Sequence, residues 1–358
     1  TAEGGWSSNI SETPSGPSDF YFRHDHALSL RGSLGTLEWQ AGLQLDQTRY
    51  VSHRGEDDLE ISGGLEVALP LSPNMQLRLG YAATREWSGT IADFGGFMVD
   101  VSGTNTDHEM LAELIITGSG RALVFGVDAL LERPGDSTLG ALPIPPLRLA
   151  PEVNSVTVRL DGELALSEQL VALGRGHAYV VNIPDLDQIL YLREPTSGLR
   201  LAGGLKYLSE GFAVTGYLGA DTVSPMNAPD LMEIRPYAEL TADLVLRDGF
   251  DASFRGSWGI GRDNPLDGVA SAQLDTEVAV RLALHERATL SAQAGLSREA
   301  GIYSPHLERW SRSIGAGLTV ALSENFSVNL GAHQQWVEEM GGSDYTVSSI
   351  NLGVTGQI

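Results

Sequence analysis

Apolar and polar side chains alternate along most of this chain with a period of two residues. Within residues 36–50, Trp39 and Leu43 share one parity, whereas Glu38 and Gln40 share the other. A strict two-residue period predicts a β-strand with one apolar face and is incompatible with an amphipathic helix. The same alternation returns in residues 58–69, 75–83, 156–166, 198–208, 234–246, 273–284, 289–297, 312–322 and 326–333.

The connections between these segments alternate between short and long. Short turns are predicted at residues 32–35, 70–74, 117–121, 167–169, 209–211, 247–249, 285–287 and 323–325. Longer polar connections are predicted at residues 51–57, 86–107, 133–153, 182–197, 222–232, 261–270, 299–308 and 337–344. Short periplasmic turns and long extracellular loops are the plan of a transmembrane β-barrel. A transmembrane strand needs ~9–11 residues, and the alternating segments are of this length.

Counting strands between the turns predicts an all-β fold, an antiparallel up-and-down β-barrel of about eighteen strands, with sixteen as the alternative. The last segment, residues 345–358, runs toward the short-turn side of the barrel. Alternation of direction then requires one ascending strand before residues 20–30, and residues 3–11 are the candidate for it. We expect one barrel domain over residues 1–358, with no plug domain ahead of it.

The composition is compatible with such a barrel and excludes other classes of protein. The chain has 358 residues, a net charge of −23 and no cysteine. Without cysteine there is no disulfide framework, thiolate metal site or cysteine nucleophile. The acidic balance excludes a nucleic-acid partner, because a phosphate backbone needs a basic face. Apolar runs stay well short of the ~18 residues of a membrane-spanning helix.

If the apolar parity faces lipid, the opposite parity faces the lumen, and its charged members are the candidate pore lining. Carboxylates outnumber arginines in this set, so we expect a net-acidic lumen that favours cations and disfavours polyanions. The alternative is that these charges pair with one another and only fill the wall. The predicted pore-lining residues are Glu38, Glu60, Glu66, Arg78, Glu109, Glu113, Asp128, Arg159, Asp161, Glu163, Arg200, Arg235, Glu239, Asp243, Asp251, Arg255, Asp275, Glu277 and Arg281.

Two of the long connections, residues 86–107 and 133–153, are too apolar for purely solvated loops. Long connections in compact folds usually have a function. We therefore expect them to fold inward and constrict the mouth of the barrel, or else to pack on each other or on a partner. The predicted constriction residues are Phe94, Phe97, Met98, Leu142 and Ile144.

On these features the chain resembles Gram-negative outer-membrane porin-like β-barrels over its whole length. The resemblance rests on the alternating segments, on the turns SEQ, SEG, RDG, HER and SEN, and on the ending INLGVTGQI. In that ending Ile350, Leu352, Val354 and Ile358 share one parity, although the family usually closes on an aromatic residue. An eighteen-strand barrel without a plug is similar to the alginate-export and sugar-specific porins. The barrel domains of exopolysaccharide exporters, with about sixteen strands, are also similar.

The resemblance implies an outer-membrane channel that passes small polar solutes or a secreted polysaccharide through the acidic lumen. The alternative function is a structural or surface-anchoring barrel whose loops bind a partner. Outer-membrane lipids with lipopolysaccharide, and the cargo, are the expected partners, and a periplasmic or surface protein is the further one considered. No cofactor and no metal are expected.

An envelope enzyme is the least favoured function. The sequence contains no Asp-x-His pair of the kind used by outer-membrane proteases and no His-x-Ser pair of the kind used by outer-membrane phospholipases. His24 and His26 flank Asp25, but two histidines are too few ligands for a metal site. We therefore predict that the chain is not an enzyme.

Overall fold

The computed structural model describes residues 1–13, 16–93, 98–140, 145–261, 267–340 and 344–356. Its strands are β1 (Ala2–Ser7), β2 (Asp19–Leu34), β3 (Leu37–Tyr50), β4 (Asp58–Ser72), β5 (Met75–Asp93), β6 (Met98–Gly118), β7 (Arg121–Pro134), β8 (Asp136–Leu139), β9 (Leu147–Arg148), β10 (Val153–Ala165), β11 (Leu170–Asn182), β12 (Thr196–Ser209), β13 (Phe212–Pro225), β14 (Glu233–Arg247), β15 (Phe250–Gly261), β16 (Ser271–His285), β17 (Ala288–Gly301), β18 (Glu308–Ala321), β19 (Phe326–Glu339) and β20 (Tyr345–Gly356). The helices are α1 (Asp185–Tyr191) and two 3-10 turns, Arg54–Glu56 and Pro229–Leu231.

All strands except the short β8 and β9 form one closed antiparallel barrel of eighteen strands. Each barrel strand pairs with the next one along the chain, and β7 pairs with β10 across the excursion of β8 and β9. The first strand closes the barrel, since Ala2 faces His24 of β2 on one side and Val354 of β20 on the other. The prediction of eighteen strands is confirmed, and the first strand, Ala2–Ser7, overlaps the predicted residues 3–11.

The long connections contain more regular structure than their polar sequence suggested. Strands β5 and β6 continue to Asp93 and from Met98, so most of the predicted loop 86–107 is a two-stranded hairpin. The predicted loop was wrong there because alternation continues through Val99 and Val101, which keeps the hairpin paired beyond the barrel wall. The loop between β11 and β12 contains α1, a helix that the sequence pattern did not reveal.

The short turns are tight, and in the described part of the chain four of them contain a glycine at positive φ: Gly35, Gly120, Gly211 and Gly249. Gly211 and Gly249 adopt φ angles of 71° and 78° between β12 and β13 and between β14 and β15. This left-handed conformation has no Cβ penalty in glycine and is strained in other residues. A Cβ at Gly249 would also lie 2.8 Å from the Cβ of Ala283 on the neighbouring strand.

The outer surface of the barrel is apolar, as lipid requires. Leu160, Leu201, Leu218, Leu330 and Leu352 all point outward and are 48%, 55%, 74%, 49% and 57% exposed. Closure pairs the strand backbones, which allows a sheet to stand in hydrocarbon. None of the helices in the described ranges is long and apolar enough to cross a membrane.

Two clusters of buried apolar residues lie near the extracellular ends of the strands. One cluster joins Val153, Tyr179, Val181 and Ile183, where β10, β11 and the loop before α1 meet. A second cluster joins Val223, Ile260, Ala270 and Ile302. These small cores fix the long loops to the barrel rim. The barrel wall itself faces lipid on its outer side and the lumen on its inner side.

Candidate pore lining

The strand register puts all nineteen predicted pore-lining residues on one face of the sheet. A single row of direct neighbours, for example, links Arg78 to Glu113 and, across Gly126, to Arg159 on β10. Arg175 on β11 and Glu239 on β14 lie three strand spacings apart, about 14 Å along the wall. Their side chains nevertheless meet at 2.6 Å, which is feasible only on the concave side of a curved sheet. The charged face is therefore the interior of the barrel.

One interior network joins five strands, β4 to β7 and β10, through two arginines. Arg78 contacts Glu66 at 2.7 Å and Glu113 at 3.4 Å. Arg159 contacts the other oxygen of Glu113 at 2.5 Å and Asp128 at 2.8 Å. Glu113 is 8% exposed, so both of its oxygens are held by guanidinium groups away from solvent. Charge-assisted pairs of this kind are stronger than neutral hydrogen bonds.

A second network follows on β10 to β14. Arg175 contacts Asp161 at 3.5 Å and Glu239 at 2.6 Å, and it stacks 4.1 Å above the Tyr217 ring. Tyr237 donates a hydrogen bond to Glu239 and accepts one from Arg175. Cation–π contact adds to these ion pairs, because the guanidinium carbon lies within the ~6 Å of the ring centre at which this attraction acts.

The same sector contains the most deeply buried ion pair of the barrel wall. Arg200 contacts Asp221, which has no solvent exposure, at 2.5 Å. The backbone N–H of Ile260 also donates to Asp221, and Arg200 stacks 4.2 Å from the centre of the Tyr237 ring. On the adjacent strand, His177 lies 3.1 Å from Asp161. The ionic side chains of this sector therefore make their contacts with one another and with the backbone of the wall.

A contrasting set of interior charges has no partner among the described residues. Neither an ion pair nor a hydrogen bond joins any of them to the described part of the chain, although Arg255 lies directly opposite Glu277, and Arg281 opposite Asp251. Among the nineteen predicted residues, eight carboxylates and two arginines belong to this set: Glu38, Glu60, Glu109, Glu163, Asp243, Asp251, Asp275, Glu277, Arg255 and Arg281.

The structure thus divides the nineteen predicted residues into two groups. Nine of them make ion pairs, namely Glu66, Arg78, Glu113, Asp128, Arg159, Asp161, Arg200, Arg235 and Glu239. The other ten are the unpartnered set above, and it is more acidic than the paired set. That these residues line a conducting pore remains a prediction. Tyr217, Tyr237 and His177 were not predicted, although their parity alone would have placed them in the interior.

The predicted constriction lies mostly outside the described residues. Phe94, Phe97, Leu142 and Ile144 fall in the ranges that the structure does not describe. Met98 is the first residue of β6, so its backbone belongs to a strand and not to a loop. The inward folding of these segments stays a prediction.

The extracellular end of one sector is held together by a buried carboxylate on α1. Asp187, which is 1% exposed, accepts hydrogen bonds from Arg148 of β9 and from the backbone N–H of Glu152. Arg148 also pairs with the Glu152 side chain at 2.7 Å. A hydrogen bond with Tyr191, together with the charges of Asp187 and Glu152, raises the pKa of Arg148.

In the described ranges, no group of three or more His, Cys, Asp or Glu side chains could hold a metal ion.

Comparison of the sequence with known families gives no match to a family model. Comparison with curated proteins gives no match either.

Comparison with solved structures finds outer-membrane transport proteins. The FrpB iron transporter from Neisseria meningitidis matches with a TM-score of 0.56 and 8% identity, over 94% of this chain and 61% of FrpB. The ferric enterobactin receptor PfeA from Pseudomonas aeruginosa matches with a TM-score of 0.57 and 9% identity, over 100% of this chain and 73% of the receptor. The yersiniabactin receptor FyuA from Yersinia pestis matches with a TM-score of 0.51 and 12% identity, over 100% of this chain and 65% of FyuA.

Identities this low show a shared fold alone, and this chain spans about three fifths of the FrpB chain. The fold is that of a Gram-negative outer-membrane β-barrel, and the outer membrane is the location of this chain. The named neighbours are transporters and receptors, not enzymes. The narrower resemblance to alginate-export and sugar-specific porins stays a prediction.

Proposed function

We propose that this barrel is an outer-membrane channel for small polar solutes and that its lumen prefers cations. The observation that carries the proposal is the unpartnered interior set, with eight carboxylates against two arginines. Charges already neutralised by a neighbour contribute little to the potential of a pore. Among the predicted lining residues, the unpartnered set therefore contributes most of the net charge that acts on a passing ion.

The shape of the interior supports the same proposal. A cavity of about 510 Å³ lies against strands β14 to β18 and is lined by polar groups that include Thr241, Ser257 and Gln293. Pockets for small molecules typically span ~300–1,000 Å³. The named structural neighbours are themselves transporters and receptors, which agrees with a transport role without fixing the cargo. Export of a polysaccharide stays a prediction from the sequence.

Planar-bilayer recording tests the proposal. Purified chain should insert in discrete steps of conductance, and a salt gradient should give a reversal potential of the sign that indicates cation preference. An insertion without conductance would contradict the channel, and an anion-selective conductance would contradict the role of the unpartnered carboxylates. Heat-modifiable migration on a gel, which a folded barrel shows, serves as the control that silent protein is folded.

A second candidate function, partner binding at the cell surface, is favoured by helix α1. Its polar arc faces the protein through Asp187 and Tyr191, whereas Leu186, Ile189 and Leu190 are 63%, 74% and 60% exposed. Exposed apolar patches of this kind mark interaction sites. A photo-crosslinker at position 189 in intact cells should then give one discrete protein adduct. The double variant L186S/L190S should lose that adduct, and a crosslink to lipid alone would contradict partner binding.

A further inference from the structure

The interior cavity against β14 to β18 combines uncharged polar groups with charged side chains. Hydroxyl and amide groups line it beside charged side chains, and the small residue Gly295 leaves room between them. The lining includes Ser257, Gln293, Ser311 and Ser313, together with Arg255, Asp275 and Glu277. A surface of donors and acceptors of this kind suits a hydrated solute that carries more than one polar group.

Four charged side chains line this cavity: Glu239 is held by Arg175, and the other three lie on β15 and β16. Arg255 on β15 faces Glu277 on β16, and the next interior pair toward the extracellular end is Ser257 with Asp275. Directly opposed residues lie ~4.5–5.5 Å apart at their Cβ atoms, and successive residues on one face lie about 6.6 Å apart along a strand. One guanidinium and two carboxylates therefore share an area about the size of a small metabolite.

These three groups are free to engage a solute. All three are exposed to the interior, and among the described residues none of them makes an ion pair or a hydrogen bond. Arg159 and Arg175, by contrast, are each held by two carboxylates of the wall. The charges of β15 and β16 are thus available to a ligand, because no residue in the described part of the wall pairs with them.

We propose that this wall is a binding face for small zwitterionic solutes, with a solute carboxylate at Arg255 and a solute ammonium at Asp275 and Glu277. A simple cation is attracted by the two carboxylates but repelled by the guanidinium beside them. A simple anion is attracted by the guanidinium but repelled by the two carboxylates. A solute with both charges satisfies all three groups, and Ser257 and Gln293 provide further hydrogen bonds. Free amino acids belong to this chemical class. The inference rests on the proposed channel and names the solute class that it passes.

Radiolabelled flux into proteoliposomes tests the inference, with L-serine as the zwitterion and erythritol as a neutral solute of similar size. Wild-type protein should pass serine faster than erythritol. R255Q should lower the serine-to-erythritol flux ratio roughly fivefold, since an exposed charge pair is worth up to ~1 kcal/mol and 1.4 kcal/mol corresponds to tenfold. The double variant D275N/E277Q should lower the ratio by a similar factor.

R287Q is the matched control, because it removes the same charge from a short turn between β16 and β17 and should leave the ratio unchanged. Erythritol flux reports whether each variant is folded and open. An unchanged ratio in R255Q with normal erythritol flux would overturn the zwitterion site and leave the channel intact. Absence of flux for both solutes in the folded wild type would overturn the channel, and the inference with it.

Discussion

Two regions of the barrel interior differ in how their charged side chains are paired. On β4 to β14, arginines such as Arg159, Arg175 and Arg200 are each held by wall carboxylates and, in two cases, by tyrosine rings. On β14 to β16, Arg255 and Arg281 stand beside carboxylates without pairing. The residue types are the same in both regions. We call β4 to β14 the rigid half, because its arginines are held by ion pairs, although Glu60, Glu109 and Glu163 there are unpartnered. We call the region from Asp243 of β14 to β16 the free half, because its interior charges have no partner among the described residues and can meet the solute.

The largest expected effect comes from breaking the rigid half. In R200M, Asp221 remains fully buried with its main cationic partner removed. Removing one partner of a buried pair costs about 3 kcal/mol or more, because the remaining charge is left in a low-dielectric site. Unfolding in urea with detergent micelles should show this loss of stability.

The matched comparison is an arginine-to-methionine substitution in the free half. Arg281 is exposed and makes no ion pair with the described residues, so R281M should change the free energy of unfolding by less than ~0.5 kcal/mol. If R281M destabilised the barrel as much as R200M does, the division into two halves would be wrong.

A smaller effect is expected at the extracellular end of the rigid half. In D187N, the buried carboxylate that accepts from Arg148 and from the Glu152 backbone becomes neutral. Loss of a hydrogen bond to a charged group costs about 1.5–3 kcal/mol, and here the cost falls on α1 and its neighbours and not on the whole barrel. Hydrogen exchange should accelerate in residues 185–191 while the barrel strands keep their protection. D185N, on the exposed side of the same helix, should leave this exchange unchanged.

The smallest effect is expected at the short turns, which both halves share. G249A forces a side chain into φ 78° and against Ala283, so we expect a loss of about 1 kcal/mol. G203A is the control, because a Cβ there meets open space. Equal midpoints of urea unfolding for the two variants would mean that the turn conformation is not a constraint.

The sequence predicted the fold well because a barrel repeats one local pattern. Parity placed residues such as Glu113 and Glu277 on the interior face, and turn spacing led to the count of eighteen strands. The pattern of ion pairs could not be predicted, since the contact between Arg175 and Glu239 depends on the curvature of the wall across three strand spacings. Helix α1 was missed because its apolar arc, Leu186, Ile189 and Leu190, spans too few residues to show a helical period.

The central claim, that ion selectivity belongs to the free half, is tested most directly by one reversal-potential measurement. The variant D243N/D251N/D275N/E277Q removes four unpartnered carboxylates and is compared with D185N/D230N, which removes two charges from the extracellular loops. The first variant should move the reversal potential toward zero under a salt gradient, and the shift should persist at 1 M salt. The loop variant should have a smaller effect that fades as salt rises, because its charges are screened beyond ~3 Å at 1 M. An unchanged reversal potential in the quadruple variant would contradict the account.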